Sequence, residues 1–104
     1  MTAAPHSPNP IVVGLAGDLD FASVDDAAER IAQAIASGRD VTVDMGDVPF
    51  IDSTGIGMLV RACRQAHKRG HSFSVTGLQP FPMRSLQITG ALDVLCERPR
   101  SSAH

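Results

Sequence analysis

At 104 residues with a formal net charge of −2, the chain has room for one domain with a modest core and lacks the basic excess that holds nucleic acid. Its 43% apolar and 19% charged residues match a soluble globular domain, not a disordered one. Four Phe with no Trp or Tyr exclude a base-stacking platform. No apolar run approaches the length of a membrane span. The first residues lack the basic segment and apolar stretch of a secretory signal. Cys63 and Cys96 are far apart and form no C-x-x-C pair, which fits a reduced, cytoplasmic setting.

In chain order, residues 1–10 carry Pro5, Pro8 and Pro10 among small and polar residues and read as a flexible or extended arm. Residues 11–16 are a β-rich apolar run, expected to form a buried strand that ends in a turn over Gly17–Asp20. Ser23 is placed to cap a helix whose apolar positions are Val24, Ala27, Ala28, Ile31 and Ile35, with Asp25, Asp26, Glu29 and Arg30 turned outward and Gly38 as the stop. Residues 41–45 alternate as a half-buried strand, followed by a loop over 46–50.

The next helix is expected over 53–69, with Ile56, Leu59, Val60, Cys63 and Ala66 on its apolar face. Arg61, Arg64, Gln65 and Lys68 form a solvated face, and Gly70 ends the helix. Cys63 reads as a small core residue. A third strand is expected over 71–76. A turn at 77–80 leads into a short helix with Met83 and Leu86 that stops at Gly90. Residues 91–95 pack back or add a last short element, and 96–104 read as a tail. The order β-α-β-α-β-α predicts an α/β domain with parallel neighbours wherever a helix links two strands. In such sheets, ligands and partners meet the loops at the carboxyl ends of strands. Asp20 and the 52–54 turn both follow strands, so they are expected on one rim.

The chain is organised around Asp52-Ser53-Thr54-Gly55, between a strand and a helix. One helix cap accounts for one of these residues, not for three hydroxyl or carboxylate side chains in a row followed by Gly. A serine at a helix start lies where free N–H groups and the helix dipole favour added negative charge, so the fold can accept a phosphate on Ser53.

Three segments together carry a family resemblance: Leu15-Ala16-Gly17-Asp18-Leu19-Asp20; Val43-Asp44-Met45 through Phe50-Ile51-Asp52-Ser53-Thr54-Gly55-Ile56-Gly57; and Leu86-x-x-Thr89-Gly90-Ala91-Leu92. In order and spacing, residues 11–95 resemble a STAS domain (the sulfate transporter and anti-sigma factor antagonist fold) of the single-domain bacterial antagonist type. The resemblance implies a small mixed β-sheet with helices packed on it. The proline-bearing arm leaves little room for the usual first strand, so that edge strand is expected to be short or missing.

The resemblance also implies a mechanism. Such an antagonist binds an anti-sigma factor that is also a serine kinase, and so releases a sigma factor. The kinase, which binds the ATP, phosphorylates the motif serine and ends the interaction, and a phosphatase restores it. Carried over, Ser53 is the phosphoacceptor with Thr54 as alternative, and Asp20, Asp52, Ser53, Thr54, Gly55 and Ile56 form the partner-binding surface. No cofactor, nucleic acid or membrane insertion is implied. The alternative is a STAS subunit outside sigma control, a stress-signalling scaffold or an accessory protein of a lipid transporter.

An enzyme is the weaker reading. G-x-S-x-G is absent, and Gly55-Ile56-Gly57 lacks both the third glycine of a dinucleotide fingerprint and the Gly-Lys-Ser/Thr of a P-loop. His67 and His71 straddle Gly70, where the helix stops, so they do not share a metal-binding helix face.

Overall fold

The computed structural model describes residues 9–95. The arm expected over 1–10 lies outside these residues except for Asn9 and Pro10, and the expected tail over 96–104 lies wholly outside them. The described elements are β1 (Ile11–Ala16), α1 (Val24–Ala36), β2 (Val41–Asp47), α2 (Ser53–Lys68), β3 (Phe73–Thr76), α3 (Pro80–Thr89) and α4 (Ala91–Leu95).

The strands lie in the order β1-β2-β3, all parallel, with Ile11 opposite Val41 and Val41 opposite Phe73. Parallel neighbours require long crossovers, and α1 and α2 supply them. An antiparallel member that would make the sheet mixed is not among the described residues, nor is any strand preceding β1.

Alternation along the strands sorts side chains onto two faces. Val13, Leu15, Val41, Val43, Met45 and Phe73 point into the core, whereas Val12, Gly14, Asp44 and Ser74 point to solvent. The core face is covered by α1, α2 and α4, with Ile31, Leu59, Leu86 and Leu95 at the centre. Full burial of each such side chain is worth about 1.5–3 kcal/mol. Cys63 is buried there, as its place on the helix predicts.

Two boundaries and one helix face depart from expectation. β2 runs to Asp47, past the predicted end at residue 45. The register steps from Gly14–Asp44 to Ala16–Asp47, a bulge that gives β2 an extra residue, and the Gly17 N–H donates to the Asp47 carbonyl at 2.9 Å. β3 starts at Phe73, not at residue 71, because the two preceding N–H groups are otherwise engaged: His71 donates to the Ala66 carbonyl at 3.0 Å and Ser72 to Asp40 Oδ1 at 2.9 Å. The buried stripe of α2 consists of Gly55, Met58, Leu59, Cys63 and Ala66, while Ile56 and Val60 are half-buried. The helix is rolled toward Gly55 and Met58 because it packs against both the sheet and α1.

Candidate functional site

The loops after β1 and β2 are zipped together beyond the regular sheet. Leu19 and Ile51 form a parallel bridge. The Leu19 N–H donates to the Phe50 carbonyl at 2.9 Å, and the Asp52 N–H donates to the Leu19 carbonyl at 3.2 Å. Residues 17–21 and 47–52 thus make one rigid rim at the carboxyl end of the sheet, with Leu19 and Ile51 buried beneath it.

Asp52 is the N-cap of α2, in extended geometry at φ −107° and ψ −177°. Its Oδ1 accepts from the Gly55 N–H at 3.1 Å, and its Oδ2 accepts from the Phe21 N–H at 3.3 Å. One carboxylate therefore caps the helix and ties it to the turn after β1. Asp20 holds its own turn through Oδ1, which accepts from the Ala22 N–H at 3.1 Å. The structure brings Asp20 and Asp52 onto one rim, as expected, with both carboxylates engaged by backbone.

Ser23 occupies the N-cap position of α1 but does not cap it. Its backbone is already helical, so Oγ turns back to donate to the Asp18 carbonyl at 2.7 Å and to accept from the Asp20 N–H at 3.1 Å. The residue expected as a cap instead braces the site turn.

Ser53 and Thr54 are the first two residues of α2, and both are exposed. The Ser53 hydroxyl makes no hydrogen bond to the described residues. Gly55 lies beneath the turn, buried, and Ile56 is half-buried. A Cβ on Gly55 would sit 2.6 Å from the Leu19 carbonyl oxygen and 2.9 Å from Ile51 Cγ1. Close packing, not conformational freedom, thus requires this glycine.

The rim also carries aromatic residues that none of the sequence motifs singles out. Phe50 and Phe81 stack with ring centroids 5.2 Å apart at an interplanar angle of 16°. Phe81 is in the first turn of α3, and Gln79, at the N-cap of that helix, donates from Nε2 to the Gly46 carbonyl at 2.8 Å, which draws the loop after β3 to the same rim. Phe21 is 76% exposed beside Asp52. The available signal was positional: Phe21, Phe50 and Phe81 each follow a strand, whereas Phe73 lies within one.

The rim is also acidic. Asp18, Asp20, Asp47 and Asp52 surround it, and no Lys or Arg occurs in residues 10–29 or 40–60. His67 is near the far end of α2, about 20 Å from Ser53 along the helix axis, and contacts Cys63 Sγ at 3.6 Å through Nε2. His71 pairs with Asp40 at 3.8 Å. The described residues contain no cluster of three or more His, Cys, Asp or Glu able to hold a metal, and no helix long and apolar enough to cross a membrane.

The fold agrees with the comparisons to known proteins. The family model described as "STAS domain" matches residues 1–103. The chain belongs to the STAS family. An anti-sigma-B factor antagonist of Bacillus subtilis is 31% identical over 87 residues, covering 84% of this chain and 80% of the relative. Among solved structures, a chain from Thermotoga maritima described as a "putative anti-sigma factor antagonist" superposes with a TM-score of 0.71 at 19% identity, covering 93% of this chain and 88% of its own length. The anti-sigma factor antagonist SpoIIAA in its unphosphorylated form superposes with a TM-score of 0.60 at 25% identity, covering 72% and 69% of the two chains. Ser53 is therefore presented here on a fold shared with these structures.

Proposed function

We propose that this STAS domain is an anti-sigma factor antagonist switched by phosphorylation of Ser53. One observation carries the reading: Ser53 stands exposed at the first position of α2 with its hydroxyl making no hydrogen bond to the described residues, on a turn held by Asp52 and Leu19. The Bacillus subtilis relative, named an anti-sigma-B factor antagonist, supports the role, and the description of SpoIIAA as unphosphorylated supports the chemistry.

The partner is an anti-sigma factor that is also a serine kinase. It supplies the ATP, and a phosphatase reverses the mark in the cytoplasm. The antagonist contributes an acceptor and a surface, with Asp20, Asp52, Ser53, Thr54 and Ile56 around the contact and Gly55 as its floor. Thr54, the next exposed hydroxyl, is the alternative acceptor. Phosphate adds about −1.5 to −2 charges at a helix N-terminus, which the free N–H groups and the dipole accommodate. The fold therefore tolerates the mark. A partner surface fitted to a neutral serine does not, because the dianion resists desolvation beside Asp52. The switch acts at the surface and needs no refolding.

The test is capture from native cells with the wild-type chain, Ser53→Ala and Ser53→Asp, with phosphosites mapped by tandem mass spectrometry. The expected result is phosphate on Ser53 and an ATP-binding anti-sigma factor retained by wild type and Ser53→Ala but not by Ser53→Asp. Equal retention by Ser53→Asp refutes the switch. Transporter or scaffold proteins recovered in place of an anti-sigma factor move the assignment to a STAS subunit outside sigma control.

A further inference from the structure

We infer that Ser23 is a positioning residue for the modification of Ser53: its hydroxyl pins the peptide groups on either side of Leu19 and so fixes where the Asp20 carboxylate stands when the kinase docks. The inference rests on the phosphorylation reading above and adds to it a residue outside the segments that carry the family resemblance.

The first observation is how the hydroxyl is used. Oγ donates to the Asp18 carbonyl at 2.7 Å and accepts from the Asp20 N–H at 3.1 Å. A hydroxyl has one proton to give and lone pairs to receive with, so both bonds stand together. Those two groups flank Leu19, whose own N–H and carbonyl are taken by Phe50 and Asp52 in the rim ladder. The ladder therefore holds Leu19, and Ser23 holds the peptide groups on either side of it. The same oxygen stands 3.3 Å from Asp20 Oδ1. It makes no cap at the start of α1, so the bonds to the turn are its whole contribution there.

The second observation is that packing leaves the turn room to move. A cavity of about 130 Å³ lies against it, lined by Leu15, Asp18, Ser23, Ala27 and Arg30 among others. Gly17, just before the turn, sits at φ 82°, where a glycine backbone meets no steric penalty. With the hydroxyl removed, the Asp18 carbonyl and the Asp20 N–H lose their partner, and the turn can shift toward that space.

The third observation is what the turn carries. Both oxygens of Asp52 are taken by backbone, Oδ1 by the Gly55 N–H and Oδ2 by the Phe21 N–H. Asp20 engages only Oδ1, which accepts from the Ala22 N–H at 3.1 Å, and its Oδ2 makes no hydrogen bond to the described residues. Of these two rim carboxylates, Asp20 is the one with an oxygen to offer an N–H donor on the kinase. A contact group held in its bound geometry before docking need not be ordered during it. Loss of the Ser23 hydroxyl should therefore weaken docking, which raises KM. Ser53 keeps its own turn, capped by Asp52, so kcat for the transfer step should hold.

The experiment uses the purified anti-sigma factor that the wild-type chain retains from native cells. It follows transfer of the γ-phosphoryl group of ATP to Ser53 Oγ, with ADP leaving and the hydroxyl proton passing to the kinase. The substrates are the full wild-type chain, Ser23→Ala, Ser23→Thr and, as control, Ser37→Ala. Ser37 braces the other end of α1 in the same manner, its Oγ donating to the Ala34 carbonyl at 2.6 Å and accepting from the Arg39 N–H at 3.3 Å. The expected result for Ser23→Ala is a KM about fivefold or more above wild type with kcat within about twofold. Ser23→Thr, which keeps a hydroxyl, and Ser37→Ala should both stay near the wild-type KM. Amide hydrogen exchange on the free chains reads the cause: the Asp20 N–H should exchange about tenfold faster in Ser23→Ala and at the wild-type rate in Ser37→Ala. Both assays are run at a temperature where thermal melts show every variant folded.

The possible failures are distinguishable. A Ser23→Ala KM within about twofold of wild type refutes the positioning role. An equal rise in Ser37→Ala also refutes it, by tracing the effect to a general loosening of α1. So does a Ser23→Thr chain as poor as Ser23→Ala, because the hydroxyl is then not what matters. In each of these cases wild type is still phosphorylated, and the antagonist reading stands. If the purified partner leaves Ser53 of the wild-type chain unmodified, the phosphorylation reading itself fails and the inference falls with it.

Discussion

Gly55→Ala adds one methyl group where the structure has no space. The new Cβ would lie 2.6 Å from the Leu19 carbonyl oxygen, 2.9 Å from Ile51 Cγ1 and 3.0 Å from Leu19 Cγ. The carbonyl cannot retreat freely, because it accepts the Asp52 N–H at 3.2 Å, and Leu19 and Ile51 are both buried. Overpacking of this kind costs about 1–3 kcal/mol. Alanine returns up to about 1 kcal/mol of helix propensity, and less in the first turn, where Gly55 lies. The expected net loss is about 1–2 kcal/mol. For a domain of this size, each kcal/mol shifts the melting temperature by about 4–8 °C, so Tm should fall by about 5–15 °C. Gly57→Ala is the internal control: its nearest obstacle is Arg61 Nη1 at 3.3 Å, the end of a flexible side chain. There the propensity gain should prevail and Tm should hold or rise. Thermal melts followed by far-UV circular dichroism read both variants. A Gly55→Ala chain that melts at or above wild type would refute the claim that the Leu19 carbonyl is fixed against α2.

Two further substitutions test the account of the fold. Asp52→Ala removes the cap on the Gly55 N–H and the link to the Phe21 N–H, and should lower stability by about 1 kcal/mol in urea unfolding; Asp52→Asn, which keeps an acceptor oxygen, should recover more than half of that loss. Leu59→Ala empties a fully buried position between the sheet and α1, and should cost about 2–5 kcal/mol, read as a lower urea midpoint at unchanged slope.

Local chemistry made much of the site legible in the sequence. A cap among residues 52–54 and a helix start at Ser53 follow from residues adjacent in the chain, and the structure gives the cap to Asp52. The shared rim of Asp20 and Asp52 follows from parallel topology alone. Most of what escaped detection depends on partners about thirty residues away. The bulge that extends β2 exists because Gly17 and Asp47 meet, and nothing within residues 41–47 announces it. Ser23 matches a capping pattern, but the Asp18 carbonyl competes for its hydroxyl. Gly55 reads from sequence as backbone freedom or close helix packing, and the fold supplies the Leu19 carbonyl that decides for packing. The Phe50–Phe81 stack joins a loop residue to one in α3, and periodicity within either segment carries no trace of it.

The wholly parallel order of the described strands has a kinetic consequence. Ile11 pairs with Val41 and Val41 with Phe73, so each ladder closes only after a helical crossover of about thirty residues has been looped out. No hairpin is available among these strands to begin the sheet, and the entropy of both loops must be lost before either pairing is rewarded. β2 belongs to both ladders, and its Val43 and Met45 are fully buried. The transition state for folding therefore has to recruit β2, while the exposed residues of the rim are free to order late. Changes in β2 should slow folding, whereas changes at the exposed rim should chiefly alter the rate of unfolding. The surface read by a partner can thus vary without hindering the chain's route to its native state.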